Sequence, residues 1–321
     1  MISRFAPAPT GFLHLGHVVN AIYVWGSALR LARGKPRVLL RIEDHDRQRS
    51  LPEFEAAILA DLDWLGFAWD GPIVRQSERN DIYSQSLDRL RRLGLVYACS
   101  CSRAEIAAAQ AALKSCATGP RSDAAVGSRS GSVDGVVAQA FGPASPSPAD
   151  DELRYPGTCR DRGLEERPGR GVRVRLEPSV ERFVDLRHGP QEQRPHAQCG
   201  DLLVRDREGN WTYQFAAAVD DFEQGVTLVV RGDDLLASTG RQIQLARLLG
   251  RTAPPAFLHH LLIMKRPGQK LSKSDRDTGV RDLRAQGWSA PRVIGQAAFL
   301  AGLIPEPRDL RADEVSSIMA P

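Results

Sequence analysis

An α/β fold organised on a parallel sheet is what this sequence predicts, on three observations. A strand, a crossover helix and a second strand fill the first 42 residues, the unit from which parallel sheets are built. A second strand-and-helix pattern returns between residues 202 and 249. The chain has 321 residues, 42% hydrophobic and 26% charged, enough for two compact domains or one large domain with an insertion.

The elements follow in order. Residues 2–6 read as a strand, ended by the turn Pro7-Ala8-Pro9-Thr10-Gly11. From Val18 to Arg33 apolar side chains recur at helical spacing until Gly34-Lys35-Pro36 stops them. Val38–Ile42 is apolar enough for a buried strand, and helical stretches follow over Glu53–Leu65 and Asn80–Leu93. Between residues 117 and 150 the character changes, since 22 of 34 residues are Ala, Gly, Ser or Pro and no periodicity is sustained. That composition predicts a flexible insertion. Strands are expected at Gly171–Leu176 and Leu202–Arg205. Tyr213–Val219 and Val226–Arg231 lead into the second strand-and-helix pattern, closed by a helix at Thr239–Leu249. After Lys273 only short helical pieces remain.

Composition excludes several classes. No apolar run approaches the roughly 18–20 residues of a membrane span, and the opening MISRFAPAPTG has no signal-peptide pattern. A membrane partner is therefore not expected. The formal charge of +4 permits a polyanionic partner without demanding one. Five cysteines, two of them in Cys99-Ser100-Cys101, suit a reducing, cytoplasmic compartment and a metal better than a disulfide framework.

Two segments read as phosphate-handling. Thr10 to His17 places His14 and His17 three apart where a strand turns into a helix, whose unpaired N–H groups favour a triphosphate. Gly16 removes a side chain and lets a flat nucleobase approach the backbone. The plainer alternative is a capping histidine and a packing glycine. Lys270-Leu271-Ser272-Lys273-Ser274 follows Pro267-Gly268, and its two ammonium groups can close around a leaving pyrophosphate. A solvated basic loop is the alternative there. Only five of 43 basic residues are lysine, however, and three of those five fall between 265 and 273, which argues for a compact point charge at that place.

Together and in this order, the two segments resemble the HIGH and KMSKS signatures of the class I aminoacyl-tRNA synthetases. The resemblance narrows to the catalytic core of glutamyl-tRNA synthetases through Arg4–Gly11, Leu40–Asp44, Thr212-Tyr213-Gln214, Val219-Asp220-Asp221 and Val230-Arg231-Gly232. It implies a Rossmann-like catalytic domain with a parallel sheet, a zinc-bearing connective insertion and a small helical C-terminal region. The implied divisions are 1–97 and 166–250 for the two catalytic halves, 98–165 for the zinc-bearing connection, and 251–321 for the KLSKS loop and helical end.

The resemblance also implies roles. Glutamate would lie against Arg4, Phe5, Ala6, Pro7, Ala8, Glu43, Tyr213 and Arg231, and ATP with Mg2+ against His14, Gly16, His17 and Lys273, with His14, His17, Lys270 and Lys273 serving the chemistry. The residue types agree: Arg4 and Arg231 suit carboxylates, Glu43 suits an ammonium, and Tyr213 supplies a directional hydrogen bond. For Glu43 the alternative is a salt bridge to Arg41, and for Tyr213 it is core packing. Cys99, Cys101 and Cys159, with the Tyr155 oxygen, resemble the structural Zn2+ site of shortened relatives. Here 53 residues separate Cys101 from Tyr155, and Cys116 in that stretch is a rival ligand. Cysteines buried without a metal are the other reading, and Cys199 reads as structural.

Only 47 residues follow Ser274, too few for helical anticodon-binding domains. The match is therefore with the shortened branch that activates glutamate without tRNA and attaches it to queuosine at the wobble position of tRNA(Asp). The expected activity is that of a ligase with ATP, L-glutamate and queuosine-bearing tRNA(Asp) as partners. A minimal synthetase charging a tRNA 3′ end and a non-catalytic RNA-binding paralogue are the alternatives.

Overall fold

A computed structural model describes residues 1–46, 49–117, 153–266, 269–270 and 279–319. The 117–150 insertion therefore lies outside the described residues apart from Ala117.

Strand β1 (Ile2–Phe5) passes through the Pro7–Gly11 turn into helix α1 (Leu15–Leu31). The helix starts three residues before the apolar pattern does, because His14 caps it with a ring nitrogen 3.0 Å from the Gly16 amide. Strand β2 (Arg37–Ile42) and helix α2 (Pro52–Leu65) follow. Pro52 opens α2, and Gly66 closes it at φ 83°, a left-handed conformation that glycine adopts without strain. Next come β3 (Val74–Arg75), α3 (Asn80–Arg92), β4 (Val96–Cys99) and α4 (Arg103–Ala117). Beyond the insertion run β5 (Gly171–Val174), β6 (Glu181–Asp185), β7 (Gly189–Gln193), α5 (Pro195–Cys199) and β8 (Leu202–Arg205). The final set is α6 (Tyr213–Glu223), β9 (Leu228–Gly232), α7 (Thr239–Leu248), β10 (Ala256–His260), β11 (Met264–Arg266), β12 (Gln269–Lys270), α8 (Val280–Ala285) and α9 (Ala290–Leu300).

Strands β1, β2 and β3 are parallel and ordered β1-β2-β3. A second sheet is ordered β7-β6-β10-β9, with β6, β10 and β9 mutually parallel. The two sheets meet at β1 and β9. The Thr227 amide donates to Ile2 O at 2.8 Å, and the Arg4 side chain reaches Val230 O at 3.0 Å, so the two strands run side by side in one direction. The chain leaves this junction toward β2 and β3 on one side and toward β10 on the other. Such a switch point leaves a crevice at the strands' carboxyl ends, the habitual ligand position in open α/β sheets.

The main core lies between this sheet and α1, α2, α8 and α9, and includes Phe5, Ile22, Leu40, Ile42, Leu62, Val230, Val293 and Ala297. An antiparallel sheet, β4-β5-β8, has its own core with α3 and α6. The hairpin β6–β7 and strand β3 lack sequence signals of the usual kind, whereas β4 (Val96-Tyr97-Ala98-Cys99 after Gly94-Leu95) and β10 (Ala256-Phe257-Leu258-His259-His260 after Pro254-Pro255) carry short apolar and aromatic runs behind a Gly or Pro. In β6 the period is two, but the inward positions are Glu181, Phe183 and Asp185, so its buried face reads as polar. The strand expected from Val226 starts at Leu228 instead, since the Val226 amide turns back to Asp221 O at the end of α6.

Candidate functional site

Arginines on the strands and carboxylates on α6 meet near the junction of β1 and β9. Arg4 comes from β1, Arg41 from β2 and Arg231 from β9, and all three are buried. The second residue past β1 and the first past β2 are tied together by the Glu43 amide donating to Pro7 O at 3.0 Å. Helix α6 brings Asp220 and Asp221 against Arg41, and Asp221 against Arg4, from 180 and 217 residues further along the chain for the Asp221 pairs.

Asp221 Oδ1 accepts from Arg4 Nε at 2.9 Å and from Arg41 Nη1 at 2.7 Å. Burial alone would raise its pKa, but the two guanidinium groups outweigh it and hold the carboxyl down at about 2. Asp220 accepts from Gln76, Arg79 and Tyr83 at 2.6–2.9 Å. Arg41 also donates to Gln224 at 2.9 Å and to Glu43 Oε1 at 3.2 Å. Burial disfavours its charge, yet Asp221, Asp220 and Glu43 together keep it firmly protonated. The salt bridge between Glu43 and Arg41 is therefore present. Even so, burial raises the Glu43 carboxyl, against the opposing pull of Arg41, Arg4 and His45.

Arg231 is held differently. Its Nε donates to His259 Nε2 at 2.9 Å, Nη1 to Gln242 Oε1 at 2.6 Å and Nη2 to Thr239 Oγ1 at 2.8 Å. All three acceptors are neutral, and Arg231 makes no ion pair among the described residues. A cation 3% exposed without a counter-ion is costly. Burial pushes its pKa down for that reason. Tyr213 opens α6 beside it, and burial and Glu43 raise the phenol while Arg231 and Arg4 lower it. The site thus offers one buried cation without a direct ion pair, a second cation shared with Asp221, and the carboxylate of Glu43.

Not every expected residue takes part through its side chain. The Phe5 ring belongs to the core, 5.5 Å from Trp25, so any ligand contact falls to its main chain. His14 and His17 stand at the start of α1 with ring centroids 4.0 Å apart. A Cβ on Gly16 would come within 2.8 Å of His14 Cε1, so the missing side chain first makes room for the His14 ring. Gly279 forms a β-bridge with His14, and the Val280 amide donates to Leu13 O at 2.9 Å. Lys273 lies outside the described residues. The backbone of Lys270 pairs with Met264 in β12, but its side chain lies outside them.

Asp220, Asp221, Thr239, Gln242 and His259 carry much of the arrangement. The signal for the aspartates was available: two adjacent carboxylates in the otherwise apolar run Phe215–Phe222 demand buried partners.

The cysteine site is built at the end of β4 and the loop before β5. The Sγ atoms of Cys99, Cys101 and Cys159 all lie within 4.8 Å of one another, the last two 3.5 Å apart. Tetrahedral Zn–S bonds of about 2.3 Å require sulfur separations near 3.8 Å, so the set fits such an ion. The Tyr155 hydroxyl is 3.4 Å from Cys99 Sγ and accepts the Cys159 amide at 2.8 Å, which brings its oxygen to the same place. The Cys116 side chain is outside the described residues, and Cys199 is buried in the second core, donating to Pro195 O.

Comparison with known proteins agrees with this geometry. Residues 1–131 and 143–307 match the family described as tRNA synthetases class I (E and Q), catalytic domain. The chain is 40% identical over 311 residues to a Glutamyl-Q tRNA(Asp) synthetase of Rhodobacter capsulatus, covering 92% of this chain and 100% of that one. It is 43% identical over 275 residues to the protein of that name from Bordetella bronchiseptica, covering 85% and 75%. Among solved structures, a glutamate tRNA ligase of Elizabethkingia meningosepticum in complex with its amino acid superposes with a TM-score of 0.71 at 25% identity. That match covers 98% of this chain but only 64% of the ligase, and 65% for a glutamate-tRNA synthetase of Elizabethkingia anophelis.

Proposed function

This chain belongs to the class I tRNA synthetases of the glutamate and glutamine group, and on that premise we propose that it activates glutamate with ATP, without tRNA, and transfers it to queuosine at the wobble position of tRNA(Asp). The observation that carries the glutamate reading is Arg231, a buried guanidinium whose side-chain bonds to His259, Gln242 and Thr239 all go to neutral acceptors and which makes no ion pair among the described residues. A dicarboxylate with one ammonium is the complement of this site: Arg231 and Arg4 take carboxylate oxygens, Glu43 takes the ammonium, and Tyr213 orients the chain.

The α-carboxylate oxygen then attacks the α-phosphorus of ATP. A new P–O bond forms, the bond to pyrophosphate breaks, and glutamyl-adenylate remains. The reaction asks for positioning and charge rather than an enzyme nucleophile. His14, Gly16 and His17 cradle the nucleotide at the positive end of α1. Lys270 and Lys273 add charge to the departing phosphates. Gly279 is placed beside His14, and Lys273 precedes it by six residues, at most about 20 Å of chain. Mg2+ bound to ATP would neutralise phosphate charge. A queuosine hydroxyl then attacks the acyl carbon, and AMP leaves. Zinc held by Cys99, Cys101, Cys159 and Tyr155 would fasten the connection between the catalytic halves 1–97 and 166–250. The names of the relatives support the acceptor assignment.

Labelled glutamate offered with ATP and tRNA(Asp), with and without queuosine, tests the whole reading. Label on queuosine-bearing tRNA(Asp) alone, together with protection of the queuosine diol from periodate, is the expected result. Robust labelling of tRNA(Glu) at its 3′ end rejects the acceptor assignment.

A further inference from the structure

Asp185 closes β6, and Phe257 of β10 is its register partner, so its carboxylate stands beside the end of β10. It is 1% exposed, and everything that reaches it donates. Its Oδ1 accepts the amides of Arg187 and His188 at 3.0 Å; Oδ2 accepts the His259 amide at 3.1 Å and meets His259 Nδ1 at 2.7 Å. Burial alone would raise the carboxyl, but these bonds lower it, so Asp185 is an anion. His259 Nδ1 must therefore carry a hydrogen.

The other ring nitrogen is fixed independently. Arg231 Nε has only a hydrogen to offer and lies 2.9 Å from His259 Nε2, which must present its lone pair. Both ends thus define one neutral tautomer. Thr239 Oγ1, 3.2 Å from Nε2, accepts from Arg231 Nη2 at 2.8 Å. Gln242 accepts Nη1 and is itself steadied by Gln214, which donates to Ser238. Three of the five N–H groups on Arg231 are engaged in this way, and Tyr213 is a further hydrogen-bond partner of the guanidinium, so what remains faces the place of a substrate carboxylate.

The charged groups around the imidazole are Asp185 from β6, Arg231 from β9 and Asp233 just after it; α7 contributes only Thr239. Burial lowers the imidazole pKa, with Arg231 acting in the same sense and Asp185 opposing, so the neutral form is the resident one.

We propose that His259, oriented by Asp185, is the positioning residue that aims the Arg231 guanidinium at the substrate carboxylate. The proposal rests on the glutamate reading of the site. His259 touches no substrate atom in this role. It acts by giving Arg231 Nε a neutral acceptor, where a carboxylate would cancel the charge that the substrate needs.

Two substitutions separate positioning from packing. In His259→Asn the amide keeps the bond to Asp185 but is too short to reach Arg231. In His259→Gln the amide oxygen falls near the Nε2 position. The readouts are glutamate-dependent ATP–pyrophosphate exchange and, on the wild-type protein, imidazole 15N NMR. His259→Asn is expected to raise the glutamate KM about tenfold, with kcat within about threefold and the KM for ATP unchanged; His259→Gln should stay within about threefold of wild type in all three. The spectrum should show Nδ1 protonated and Nε2 bare. Equal KM increases in both variants, or an unchanged KM in His259→Asn, overturns the proposal, as does a proton found on Nε2. Wild-type protein without glutamate-dependent exchange overturns the proposed function instead, and the spectrum then decides the orientation of His259 by itself.

Discussion

His17 Nδ1 accepts the main-chain amide of His14 at 3.1 Å, so the second histidine of the pair caps the backbone of the first. His14 Nδ1 in turn accepts the Gly16 amide at 3.0 Å. With both Nδ1 atoms accepting, each neutral ring carries its hydrogen on Nε2. The helix start thus fixes the chemical character of the pair as well as its position.

Gly16→Ala tests this arrangement. The new methyl would lie 2.8 Å from His14 Cε1, and the ring must leave its capping position. Loss of the cap should cost about 1 kcal/mol of stability. Adenylation, in which the proposed function gives both rings a part, should fall by at least about tenfold. Thermal unfolding and pyrophosphate exchange measure the two separately. Wild-type exchange in this variant would remove the histidine pair from the reaction.

Arg231→Ala should weaken glutamate and spare ATP. Truncating a buried charge-assisted partner costs on the order of 2–5 kcal/mol, which corresponds to a roughly thirtyfold or larger rise in the glutamate requirement. Steady-state titration of each substrate checks this. Parallel losses for both ligands would point to a damaged fold.

Metal content provides a separate test. Protein purified without added zinc should carry one zinc per chain, and Cys159→Ala should lose it, since Cys159 Sγ closes the thiolate set at 3.5 Å from Cys101. Cys116→Ala should keep it. The opposite pattern in elemental analysis would transfer the ligand to Cys116.

Asp61 on α2 predicts a pH effect on stability. It is 4% exposed, and its Oδ2 has no hydrogen-bond partner among the described residues. Burial raises its carboxyl from 3.8 to about 6, against Arg284 and Arg281. A folded pKa above the unfolded one gives stability that is fully present below pH 3.8 and is lost as pH rises through about 6. Asp61→Asn should remove that slope and stabilise the protein at pH 8 by on the order of 1–3 kcal/mol, with little effect at pH 4. Denaturant titration at the two pH values measures it, and equal effects at both would exclude the buried carboxylate as the cause.

Local chemistry was legible in the sequence. The first strand–helix–strand unit follows from apolar periodicity and from Gly and Pro stops, which act within a few residues. The histidine turn, Arg4, Glu43, Tyr213, Arg231 and the Cys99-Ser100-Cys101 pair with Cys159 are singled out by the family resemblance, and each residue type agrees with the chemistry that the resemblance implies. Partners were not legible. Asp221 joins Arg4 across 217 residues and Arg41 across 180, and His259 meets Asp185 across 74. Parallel strands pair only after long crossovers, so no spacing along the chain records which of them become neighbours. Tertiary structure alone decided that Arg41 is neutralised by carboxylates while Arg231 rests on neutral acceptors. That difference is what the proposed glutamate site draws on, since the electrostatic cost of a buried charge depends on what surrounds it.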